Sequence, residues 1–73
     1  MNKLSLSKEL YSETLVRQSV EAFAQIADIN IIISSKYYIC DFLNSKYSLN
    51  ETTKEFENYL IDLTNHLKKY DNN

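Results

Sequence analysis

Few side chains in this 73-residue chain are of the types that do chemistry, and their spacing builds none of the usual arrangements. His66 is the single histidine and falls late in a helical stretch beside Leu63 and Leu67, where a cation complements the helix dipole. Nucleophilic catalysis needs a nucleophile and an orienting group within hydrogen-bond reach, and the sequence points to neither. Cys40, the single cysteine, alternates with Tyr38 and Phe42 in a strand-like run. A reactive thiol needs a helix N-terminus or basic neighbours to depress its pKa; in an apolar strand it acts as a small hydrophobe. One Cys and one His fall short of the four ligands of a zinc site. Glu51, Glu55, Glu57 and Asp62 spread around one helix as a solvated face, and paired glycosidase-type carboxylates need a cleft for which a chain this short lacks room. Tyr37-Tyr38 reads as strand propensity rather than a stacking platform. With no glycine at all, phosphate-cradling loops are excluded. The expectation is a chain that is not an enzyme, with no catalytic residue, metal or cofactor.

The wider composition narrows the partners. A chain of 8.6 kDa is one domain, spanning 1–73 with an ordered core at about 3–69. It buries about 60% of its unfolded surface, enough for one thin core. The formal charge is −2, and Arg17 and seven lysines are scattered among ten carboxylates. That is not the basic stripe that displaces counterions from phosphates, so no nucleic acid is expected. A lone cysteine forms no internal disulfide, no stretch approaches 18 apolar residues, and Met1 to Leu10 holds no signal-like apolar run. These features predict a cytoplasmic protein with no membrane contact.

The elements follow from periodicity. Leu4 and Leu6 alternate with Ser5 and Ser7 as a short strand. Ser12 reads as an N-cap, Tyr11 as a staple onto Val16, and Glu13–Arg17 as an i,i+4 pair. Apolar residues from Leu15 through Ala27 keep helical spacing, which predicts a helix over 13–27. The β-branched run 29–33 predicts a strand, Ser34-Ser35-Lys36 a turn, and 37–43 a second strand antiparallel to the first. Without glycine the hairpin loop is expected to hold three to five residues. A polar loop at 44–49 leads to a second helix over 51–69, capped by Asn50 and closed by Lys68 and Lys69. Its apolar stripe is Phe56, Tyr59, Leu60, Leu63 and Leu67.

These elements predict an α+β fold, a two-layer β-α-β-β-α arrangement. Two sheet orders fit. The favoured one is a three-stranded antiparallel sheet of order 1-3-2, with the apolar-rich third strand central and both helices on one face. Period 2 then sets Tyr38, Cys40 and Phe42 toward the helices. Ile32, Tyr37, Ile39 and Leu43 fall on the open side and are the candidate partner-binding residues, because an uncovered apolar sheet face marks a contact surface. The edge strands offer a second mode, pairing with an extended peptide.

Several residues resemble the HxsD-like family, the small protein of His-Xaa-Ser peptide-maturation systems. The likeness runs from about Leu6 to Leu67. It comprises the strand leading into Leu10-Tyr11-Ser12, the pair Ala22-Phe23, the hairpin, and Phe56-x-Asn58-x-Leu60-x-Asp62. Where the family tends to carry an arginine shortly afterwards, Asn65-His66-Leu67 stands. The resemblance implies a non-catalytic accessory protein beside radical-SAM enzymes that modify a ribosomal peptide, with no cofactor of its own. Its partner would be the maturase or its precursor peptide. The alternative reading, from another class, is a small homodimeric structural protein or a phage-like inhibitor that binds another protein.

Overall fold

The computed structural model describes residues 2–71, with side chains described through residue 67. The order is β1 (Asn2–Ser7), α1 (Glu13–Ala22), β2 (Ala27–Ile33), β3 (Tyr37–Ser45) and α2 (Leu49–Asp71). The strands form one antiparallel sheet of order β1-β3-β2, so the strand richest in apolar residues is central, as expected. The expected α+β fold stands. The Cα envelope is 16 Å in its thinnest direction, which leaves room for a sheet and a single layer of helices. The 23 residues of α2 set the long dimension of 39 Å, since a helix of that length spans about 34 Å.

Each join has a local cause. The Ser12 side chain accepts the Leu15 N–H at 3.2 Å and caps α1, and Arg17 meets Glu13 at 2.8 Å on its outer side. The expected extent of α1 is corrected. The helix ends at Ala22 rather than at 27, and Phe23 is the C-cap, with φ −96° and ψ 4°. The Phe23 carbonyl accepts the N–H groups of Ile26 and Ala27, both at 2.9 Å, which turns the chain straight into β2. No described residue takes positive φ, so this helix stops without the left-handed cap that glycine usually supplies. Ala27 is buried at the start of β2 and Ile26 is half-buried in the turn before it.

The hairpin has three connecting residues, within the expected range. Ser34 donates its N–H to the Tyr37 carbonyl at 2.9 Å, and its Oγ accepts the Tyr37 N–H at 3.1 Å. The side chain thus supplies an acceptor where a tight turn would use a carbonyl, and no positive φ is required. The second helix also starts elsewhere than expected. Ser48, not Asn50, is the cap: its Oγ accepts the Glu51 N–H at 3.1 Å and its carbonyl the Thr52 N–H at 2.9 Å. The helix continues through Asp71, beyond the expected end at 69. The expected role of Lys68 and Lys69 at its end lies outside the described side chains.

The core lies between the sheet and both helices. Leu6, Tyr38, Cys40 and Phe42 come from the sheet, Leu15 and Val16 from α1, Phe56 and Leu60 from α2. Phe56 stands edge-on to Phe23 and Phe42, with centroids 5.4 and 5.3 Å apart, a geometry that suits the ring quadrupoles. Ser19 is fully buried and donates to the Leu15 carbonyl. Tyr59 and Leu67 of the expected α2 stripe are exposed. Thr52 and Thr64 are buried in line with Phe56 and Leu60.

Candidate functional site

The register of β3 decides which side chains are available. Leu4 and Ile31 flank Cys40, and Leu6 and Ile33 flank Tyr38, all on the helix side. One residue away, Ser5, Ile39 and Ile32 form a row across the open side, with Lys3, Asp41 and Asn30 as the next row and Tyr37 beside Ser7. Ile32, Tyr37 and Leu43 are 41%, 46% and 63% exposed, and Ile39, hemmed in by both neighbouring strands, is half-buried. The four predicted residues therefore share the face away from the helices. Ile32, Tyr37 and Ile39 form an apolar patch on β2 and β3 bordered by Ser5 and Ser7 of β1, and the polar row of Lys3, Asp41 and Asn30 separates it from Leu43.

Leu43 lies on that face as period 2 predicts, but beside an irregularity the sequence did not mark. Between Asp28 and Ile29 the pairing shifts, with Ile29 opposite Phe42 and Asp28 opposite Asn44. Leu43 is the extra residue of a β-bulge. The bulge holds Leu43 and Asn44 both exposed and returns Ser45 to the helix side. There the Ser45 Oγ lies 2.6 Å from the Thr52 Oγ1 and ties the end of β3 to α2.

The groups considered for chemistry are kept apart. Cys40 is fully buried, and removal from water pushes its thiol from 9.0 up to about 11, away from the reactive thiolate. Tyr37 and Tyr38 point to opposite faces: Tyr38 is buried under Lys8, whose Nζ lies 5.4 Å from the ring centroid, so the pair is not a joint stacking platform. His66 is exposed on α2. Among the described residues no three His, Cys, Asp or Glu side chains gather as metal ligands would. No described helix is long and apolar enough to cross a membrane.

What the open face offers is exposed apolar area on a sheet, with polar neighbours. Period 2 alone placed these four residues on this face, Leu43 included; the bulge that keeps Asn44 outward and turns Ser45 inward was not marked in the sequence. Compared with known proteins, the chain matches no family model, no curated protein and no solved structure.

Proposed function

We propose that this chain is a non-catalytic accessory protein of a radical-SAM peptide-maturation system. It docks a precursor peptide or the maturase on the open face of its sheet, through Ile32, Tyr37, Ile39 and Leu43. The observation that carries the docking reading is that Ile32, Tyr37 and Leu43 are exposed on a sheet with both helices on the other side. Burying such side chains against a partner is favourable by about 25 cal/mol per Å² of apolar surface, and large exposed aromatics are common anchors. The biological setting rests on the HxsD-like resemblance of the Leu10-Tyr11-Ser12 and Phe56–Asp62 segments.

The test is titration of the chain against a maturase and precursor peptide encoded beside it. Binding to either is expected, with Tyr37→Glu or Ile39→Glu abolishing it while circular dichroism stays unchanged. A wild-type chain that binds neither overturns the maturation role. Unchanged affinity in both variants removes the open face from the interface. The homodimer alternative draws its support from a different place, the outer edge of β2.

A further inference from the structure

The sheet order leaves the outer edge of β2 without a neighbouring strand. Which residues present their main chain there follows from two hydrogen bonds. Ser34 donates its N–H to the Tyr37 carbonyl, and the Ile26 carbonyl accepts from the Lys46 N–H, so both residues turn inward, toward β3. Main-chain direction alternates along an antiparallel strand. Asn30 and Ile32 therefore also turn inward, while Ile29, Ile31 and Ile33 turn their N–H and C=O groups outward. The bulge does not disturb this alternation, because its extra residue lies on β3.

We propose that two copies of this chain pair their β2 edges antiparallel about a two-fold axis at Ile31, joining two three-stranded sheets into one of six strands. In that register Ile31 faces its own copy, and Ile29 faces Ile33 of the second copy. Each of these is a hydrogen-bonded pair that exchanges two main-chain bonds. Their side chains lie on the helix side, so the seam extends the core. Ile33, 48% exposed, is covered by the second copy's Ile29. On the open side Asn30 meets Ile32. No charged side chain occurs from Ile29 through Ser35, and no proline interrupts the strand, so the usual guards of a free edge are absent.

Neighbouring registers fit less well. Centring on Asn30 sets Ile33 against Ala27, whose N–H is already held by the Phe23 carbonyl. Centring on Ile32 sets Ile29 against Ser35. The register at Ile31 alone matches each of the three outward isoleucines to an isoleucine. This self-match selects a second copy over an unrelated peptide, since a closed two-fold contact needs one surface complementary to itself. The inference stands apart from Tyr37, Ile39 and Leu43 of the open face, which the pairing leaves free, while Ile32 borders the seam.

Light scattering during size exclusion tests it over a range of concentrations. The wild type is expected at twice the monomer mass, and Ile33→Lys is expected to weaken association at least tenfold with unchanged circular dichroism. Asn30 and Ile32 of the two copies form a non-hydrogen-bonded pair, whose Cα separation of about 4.5 Å suits a disulfide. The double variant Asn30→Cys with Ile32→Cys is then expected to give a covalent dimer on mild oxidation, from side chains on the face opposite Cys40. A wild type that stays monomeric at every concentration overturns the proposal, as does a dimer indifferent to Ile33→Lys. Should Ile33→Lys fail to fold, the absence of a cross-link in the double variant overturns it. Tyr37→Glu leaves this dimer intact, so its effect on partner binding reports on the open face alone.

Discussion

On β3, Tyr38, Cys40 and Phe42 are buried beneath the helices, whereas Tyr37 and Leu43, each one residue from a buried neighbour, are 46% and 63% exposed. The two tyrosines are chemically identical and adjacent, yet one fills the core and the other faces solvent. Side-chain composition does not separate the two faces of this sheet; the register does. A shift of one residue exchanges every side chain between them. The covered face should therefore carry the stability of the fold, and the open face should be free to change without cost to it.

The largest effect expected from that contrast is at Phe56. It fills the space between α1, α2 and β3, with Phe23 and Phe42 edge-on to it and no exposed surface. Phe56→Ala removes a large buried side chain and leaves a cavity that a thin core fills poorly. Such changes cost about 3–5 kcal/mol. A domain of this size has a total stability of roughly the same magnitude. Urea denaturation should find the variant largely unfolded without denaturant. A midpoint close to wild type would mean that the core lies elsewhere.

Cys40 gives the next effect, and it depends on pH. The thiol ionises near 9.0 when unfolded and near 11 in the fold, because burial disfavours the thiolate. Above pH 9 the unfolded chain loses this proton first. The contribution is thus fully present below pH 9 and declines between pH 9 and 11. At about 1.4 kcal/mol per pH unit, the loss is on the order of 2–3 kcal/mol. Comparing pH-dependent unfolding of the wild type with that of Cys40→Ala should isolate this slope. The native thiol should also resist iodoacetamide at pH 8 and react on unfolding. Prompt labelling of the folded protein would place Cys40 on the accessible face instead.

How much of this was legible in the sequence depends on the element. The sheet was readable because Leu4 and Leu6 alternate with serines and the run from Ile29 to Ile33 is too short for a helix. Strand order followed from the apolar weight of Tyr37 to Leu43. The end of α1 was not readable. Phe23, Ile26 and Ala27 keep helical spacing although the chain has already turned, and no glycine marks the stop. The start of α2 was present as Ser48-x-x-Glu51, a capping-box pattern, but Asn50 stood closer to the apolar stripe and drew the assignment. The bulge at Leu43 has no local signature. It is visible only in the pairing of β2 with β3, beyond which Ser45 meets Thr52 of α2. The open face itself was legible wherever period 2 held, and Ile32, Tyr37 and Ile39 needed no more than that.

The smallest expected effect bears most directly on the open face. Leu43→Thr exchanges an exposed leucine for a residue with good strand propensity at the extra position of the bulge. Leu43 carries more exposed surface than any other leucine or isoleucine of the strands, so little apolar area returns to water when it is truncated. Surface changes of this kind fall within about 0.5 kcal/mol of zero. The urea midpoint of the purified variant should match the wild type, measured at a concentration low enough to keep association out of the balance. Equal stability leaves Leu43 available for a partner. A loss of more than about 1 kcal/mol would mean that Leu43 already packs against something within the fold, and Leu43 would then be core rather than contact surface.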